Sequence, residues 1–433
     1  MVEQTFLDFS LTKDGDHFVY ATITVPSAFV KRLHNLASEE HQFSAATPGF
    51  GKGSTPLSYI AETFQPHLLD HLKEFFFKYF VINWLYKHLK KQKIHIAGEP
   101  VLTNILLTPH APASYSFSIT LAQPIPLQGW KRLLFKPPKR KNYKDLDRQV
   151  TSFLKEEEEA QKKTNISSIQ IGDWVLFGIS LYDNTKKDIF ENYHEELWLK
   201  IGEEEADSPF QHLFIGKKVG DTFETQEESI QNYFSTHFET HYIFFIKILD
   251  HLPCGFFSVD YFKRHFRIKT QKELHQKCIE VFSYRNDISQ RRSTAEETLR
   301  LLLSKHPFTI PHHLVLRQEK IILDAIHDNP DYQVYRMQAD FRYKLRQLAE
   351  KQVKEHILIH QLAAHENIDI SNEDIKAYLN LVTRPRTTEF IYFEPPQTKF
   401  FGQELPISAT LLAQCCLREK TLNHAIYYLS KNR

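Results

Sequence analysis

Apolar positions recur along this chain at two different periods. In HFVYATITV, Val19, Ala21, Ile23 and Val25 occupy every second position, the spacing of a half-buried strand. Ser27 then opens a helix carrying Phe29, Leu33 and Leu36, with the serine as its expected cap. A second, longer helix is predicted through Leu68, Leu69, Leu72, Phe76, Trp84 and Leu89, ending in the lysine-rich HLKKQK, whose cations suit a helix C-terminus. Further on, ASYSFSITL sets Tyr115, Phe117, Ile119 and Leu121 opposite Ser114, Ser116, Ser118 and Thr120. Residues 1–125 therefore read as an α+β domain with a helical hairpin.

The pattern changes at 126–168. KRLLFKPPKRKNYK carries seven cations and no acid, and Leu146, Val150, Phe153 and Leu154 follow at helical spacing. This stretch reads as a basic linker with a short amphipathic helix. Lys139, Arg140 and Lys141 are candidates to touch RNA phosphates, and a solvated linker face explains the same charges. From 169 to 250 the period is two again: Val175, Phe177, Ile179 and Leu181 alternate, as do Leu197, Leu199 and Ile201, and YIFFIKIL closes a small strand-rich domain. Residues 251–433 are expected to be helical. Thr270 with Glu273, and Ser371 with Asp374, have the spacing of capping boxes, the second with Ile370 and Ile375 as its staple. Pro311 suits a helix start, and Phe341, Leu345, Leu348, Val353 and Ile357 share one helix face.

Charge and cysteine content narrow the function. With 54 Lys and Arg against 53 Asp and Glu in 433 residues, bulk charge draws the chain to neither nucleic acid nor membrane. The four cysteines, Cys254, Cys278, Cys415 and Cys416, lack CxxC spacing, which argues against a disulfide framework or zinc site and for a reducing compartment. MVEQTFLDFS has no signal-peptide core. FFFKYFVINWLY is too short to span a bilayer and contains Lys78, so a cytoplasmic location without membrane contact is expected. His67 with His71, and His356 with His360, stand one helical turn apart, but no third ligand accompanies either pair, and no metal or other cofactor is expected.

One stretch stands out: TPGFGKGSTP at 47–56 spends three of only 13 glycines. It is no phosphate loop, because GxxxxGK[ST] needs glycine where Ala46 stands and a hydroxyl where Gly53 stands. Between two predicted helices, it reads as an exposed tip. Gly49, Phe50, Lys52, Gly53 and Pro56 match the GFRKGKVP tip of the trigger factor family, and AGEP at 97–100 is similar to that family's AGAP. In the strand-rich domain, IGD at 171–173, Phe190, and the frame of Phe210, Gly216 and Gly220 resemble the family's FKBP-like module, and Ile310 with Pro311 resembles a step between its C-terminal helices.

The chain thus resembles a trigger factor over nearly its whole length. The resemblance implies a multidomain α+β fold: an N-terminal ribosome-binding domain, a small FKBP-like domain over 169–250 and a helical chaperone domain over 251–433 that forms an open cradle. It implies that Gly49, Phe50, Gly51, Lys52, Gly53 and Pro56 dock on protein and RNA at the ribosomal exit tunnel, although Gly51 and Ser54 stand where the family has cations. Nascent or unfolded polypeptides are the other implied partners, and a homodimer off the ribosome is left open. Candidate residues for the prolyl cup are Phe177, Phe190, Phe210 and Phe244, each equally readable as plain core. Gly178 replaces a family phenylalanine and ADSPFQ replaces MIPGFE, so weak prolyl isomerase activity or none is expected. The alternatives are a protein that is chiefly a prolyl isomerase, and a holdase that works apart from the ribosome.

Overall fold

A computed structural model describes residues 7–15, 17–44, 47–138, 145–164, 167–190, 193–237, 240–283, 290–327, 329–388 and 390–431. Strands β1 (Asp8–Asp14), β2 (Phe18–Val25), β3 (Val101–Leu106) and β4 (Ala113–Thr120) form an antiparallel sheet in the order β1-β2-β4-β3. Ile23 lies opposite Tyr115 and Ala21 opposite Phe117, so the alternating apolar residues of β2 and β4 fall on one buried face. That face packs under helix α1 (Ser27–Ser44).

The expected long second helix runs without a break from Gln65 to Lys91, with a π turn inside it and a separate short helix before it. Helices α2 (Leu57–Thr63) and α3 (Gln65–Phe76) meet at Phe64, where Pro66 in the first turn of α3 offers no backbone donor. A π turn, Phe77–Val81, joins α3 to α4 (Ile82–Lys91). Its wider turn re-aims the following rings, and Tyr79, Phe80 and Val81 are all buried.

After α5 (Leu146–Lys163) come β5 (Trp174–Tyr182), β6 (Glu195–Lys200), α6 (Ser208–Phe214), β7 (Thr222–Thr225), α7 (Glu228–Phe234) and β8 (Ile243–Leu252). The C-terminal region contains α8 (Val259–Phe266), α9 (Gln271–Ser283), α10 (Gln290–Lys305), α11 (His312–Ile326), α12 (Tyr332–Arg336), α13 (Phe341–His365), α14 (Asn372–Val382) and α15 (Pro385–Thr388). The short strands β9 (Lys399–Phe400), β10 (Gln403–Glu404) and β11 (Ile407–Ser408) lead into α16 (Ala409–Lys431). Both capping boxes form. The Glu273 amide donates to Thr270 Oγ1 at 3.1 Å and the Thr270 amide to Glu273 Oε2 at 3.2 Å. At α14 the Asp374 and Ser371 amides donate reciprocally to the Ser371 and Asp374 side chains.

The second sheet runs β11-β6-β5-β8-β7. It is covered on both sides, which explains the nearly continuous apolar run WVLFGISLY of β5. On one side Phe177, Ile179 and Leu197 join the core of the N-terminal sheet and α1–α4. On the other, Trp174, Leu176 and Trp198 pack with Ile375, Tyr378, Leu379 and Leu412 of α14 and α16. The chain is multidomain α+β, and its apolar clusters bridge the regions instead of stopping at them.

Candidate functional site

The tip is held by backbone geometry. Gly49 and Gly53 have φ of 87° and 79°, a left-handed conformation that costs little without a Cβ. The Phe50 amide donates to the Thr47 carbonyl at 3.1 Å, and both the amide and Oγ of Ser54 donate to the Gly51 carbonyl. Gln42 Nε2 on α1 donates to the Thr55 carbonyl at 2.5 Å, while Thr47 and Thr55 are buried at the base. This framework presents Phe50 outward, 40% exposed, with its ring 5.4 Å from that of Tyr59. Gly51, Lys52 and Pro56 are exposed and Gly53 half-buried. The flanking helices also expose Phe43, Leu57 and Tyr59, three apolar groups that sequence reasoning missed although they stand beside the motif.

Phe177, Phe190, Phe210 and Phe244 share one apolar cluster and none is exposed. Phe177 lies 5.1 Å from Phe214, and Phe244 lies 5.6 Å from Phe234. Phe190 is surrounded by rings from the N-terminal helices: Tyr79 at 5.1 Å, Phe80 at 5.4 Å, Phe29 at 5.7 Å and Phe76 at 6.3 Å. Tyr79 also donates its hydroxyl to the Ile179 carbonyl at 3.0 Å. His71 is buried, with Nε2 2.7 Å from the Tyr242 hydroxyl, a structural use of one histidine of that pair. The rings of His356 and His360 lie 4.4 Å apart. Among the described residues, no group of three or more His, Cys, Asp or Glu is placed to hold a metal.

A polar knot ties the same region to the C-terminal chain. Asn83 of α4 donates through Nδ2 to Glu195 Oε1 of β6, and Ser408 Oγ of β11 donates to Asn83 Oδ1 at 2.8 Å. The Tyr193 hydroxyl donates to Glu195 Oε2 at 3.0 Å. Burial pushes the Glu195 carboxyl up to about 8, because a charge there would have little solvation.

The stretch expected as a linker is docked where it is described. Leu127, Trp130 and Phe135 are buried in a cluster with α10, α13 and α16. Trp130 Nε1 and Lys131 Nζ both donate to Glu366, which also meets His424 Nε2 at 3.0 Å. These bonds outweigh partial burial and hold the Glu366 carboxyl at about 2. The docking follows from the apolar residues interleaved with the cations. Lys139, Arg140 and Lys141 lie outside the described residues.

In the C-terminal half, α11 and α13 form a hairpin over a small core of Val315, Ile322, Leu345 and Ala349. Leu345, Val353 and Ile357 are buried, as their shared face predicts, but Leu348 is turned to solvent. The intervening α12 buries none of its residues. Leu316, Ile321, Val334, Tyr335, Met337 and Tyr343 are also exposed, Met337 to 87% and Tyr343 to 65%. Apolar groups crowded on one hairpin without cover are a candidate binding surface. Sequence reasoning missed this concentration; its signal was PDYQVYRMQADFRYK, where aromatic and apolar residues persist without one clear helical face. Among the described residues no helix is long and apolar enough to cross a membrane.

The geometry is that of a multidomain binding protein that presents a polar-apolar tip and an uncovered apolar hairpin. Residues 8–153 match the family model described as bacterial trigger factor protein, and residues 270–386 match the one for the bacterial trigger factor C-terminus. The trigger factor of Geotalea uraniireducens (strain Rf4) is 22% identical over 404 residues, covering 90% of each chain. That of Rhodopirellula baltica is 23% identical over 402 residues, covering 83% of this chain and 77% of its own. A solved chain from work on promiscuous substrate recognition in folding and assembly activities of the trigger factor chaperone aligns over 97% of this chain and 99% of its own, at 16% identity and a TM-score of 0.37. The chain belongs to the trigger factor family.

Proposed function

We propose that this protein is a cytoplasmic holding chaperone that docks on the ribosome near the exit tunnel and binds nascent or unfolded polypeptides on the α11–α13 hairpin. The observation that carries the reading is the exposure of Val334, Met337, Tyr343 and their neighbours on one hairpin. Each apolar contact there contributes about 1.5–3 kcal/mol when fully buried by a client. Several partial contacts therefore give sequence-tolerant binding that reverses once the client buries its own surface.

Phe50 and Lys52 are proposed as the docking anchors, the ring for an apolar groove and the ammonium for phosphate or carboxylate. Lys139, Arg140 and Lys141 are proposed to add phosphate contacts. The strand-rich domain is read here as a structural brace with little isomerase activity. Supporting this, Phe190 already packs against the N-terminal rings of Phe29, Phe75, Phe76, Tyr79 and Phe80, and a prolyl ring needs such aromatic faces free.

The test is suppression of aggregation of an unfolded client by a Val334→Ser, Met337→Ser, Tyr343→Ser variant. All three side chains are exposed, so the variant should keep its circular dichroism and melting temperature while losing at least threefold in holding capacity. A folded variant with full capacity would remove the hairpin from the mechanism.

A further inference from the structure

Where α5, α8, α9 and α15 meet, the protein forms a partly open cavity of about 240 Å³. Its walls include Phe153, Phe257, Phe262 and Phe282, together with Cys278 and Val281 of α9. Phe153 lies 5.6 Å from Phe257 and 5.1 Å from Phe282, and Phe257 lies 5.5 Å from Phe262. These rings already make tilted and edge-to-face contacts and leave space between them.

The polar atoms at the cavity are committed elsewhere. Glu157 Oε1 accepts from Arg384 Nη1 at 2.5 Å and Glu157 Oε2 accepts from the Phe257 amide at 2.6 Å. Thr387 donates to the Leu381 carbonyl at 2.7 Å. Burial pushes the Cys278 thiol up to about 12, so it is a neutral, weakly polar wall. Phe153 and Arg384 are the half-exposed members of the lining, and they mark the mouth.

An apolar cavity of about 150 Å³ is enough to stay dry and admit benzene. The present one is larger and opens to solvent, which gives a ligand a way in. We propose that this cavity is a binding site for one uncharged aromatic group of about indole size. The phenylalanine edges and faces supply quadrupole-matched partners. Arg384 at the mouth keeps N–H donors beyond its bond to Glu157, for a carbonyl carried by the ligand. The aromatic group is either a free small molecule or a tryptophan or phenylalanine side chain of a bound polypeptide. The site is separate from the α11–α13 hairpin, and so the proposal stands whether or not that hairpin holds clients.

The experiment is titration of the full chain with indole, followed by calorimetry. Saturable binding is expected, weakened at least tenfold by Val281→Phe, which places a ring in the cavity. Absence of saturation, or unchanged affinity in a folded Val281→Phe variant, overturns the proposal. Should that variant fail to fold, the unsubstituted chain decides: indole should slow alkylation of Cys278 at least threefold while leaving Cys254 unaffected, as read by peptide mass spectrometry. Equal effects on the two cysteines overturn it. Displacement of bound indole by an unfolded polypeptide containing tryptophan would support the site with a client side chain as its occupant. Failure to displace would support it with a free aromatic molecule.

Discussion

The ring of Tyr79, on the π turn of the N-terminal helices, lies 5.1 Å from that of Phe190 in the strand-rich domain. Both are fully buried in a single apolar cluster, so the two regions share a core. Truncating either ring to alanine should cost about 3–5 kcal/mol, the range for buried aromatic side chains. The cost should appear in the unfolding of both regions together. Denaturant unfolding followed by probes in each region is expected to give coincident transitions. A strand-rich domain that melts separately would show that the shared core carries no coupling.

The tip should separate binding from stability. Phe50 and Lys52 are exposed, so Phe50→Ala with Lys52→Ala should leave the melting temperature nearly unchanged while reducing co-sedimentation with ribosomes several-fold. Gly53→Ala acts differently, because φ of 79° costs a residue with a Cβ roughly 1 kcal/mol. Full ribosome association by the double mutant would remove the loop from docking.

Glu195 gives a pH dependence with a definite sign. Its carboxyl is raised from 4.5 to about 8, and so the folded chain keeps a proton there that the unfolded chain has lost. Stability from this group is fully present below pH 4.5 and declines as pH rises towards 8, at up to ~1.4 kcal/mol per pH unit. Glu195→Gln retains a neutral group for Asn83 and Tyr193 and should flatten that part of the profile. Denaturation midpoints across pH 5–8.5 (roughly the window of this shift) provide the check. Parallel profiles for the variant and the parent would rule out Glu195 as the source.

Local order was readable in the sequence where one side of an element decides it. The alternation of β2 and β4, the boxes at Thr270 and Ser371, and the glycines at 49 and 53 are settled within a few residues by pleat, cap and turn chemistry. The joining of regions was not readable. Tyr79 meets Phe190 across more than a hundred residues, and FFFKYF shows only that the helix is apolar on several sides. Period two puts Glu195 on the same face as Leu197 and Leu199, but the partners that make a carboxyl tolerable there, Asn83 and Ser408, come from distant parts of the chain. β11 has two residues, too few for any periodic signal. In sequence Lys131 reads as one more solvated cation, because its partner Glu366 lies 235 residues further on. The candidate cup residues were identifiable as buried aromatics, but which rings would cover them depended on this long-range packing.

The most direct measurement places a photo-reactive amino acid at single positions and exposes the protein to a ribosome-bound nascent chain or an unfolded client. Strong crosslinks are expected from positions 337 and 343 of the hairpin, and background levels from position 190. Strong client crosslinking at 190 with little at 337 and 343 would contradict the hairpin's role, making the strand-rich domain the site that receives polypeptide.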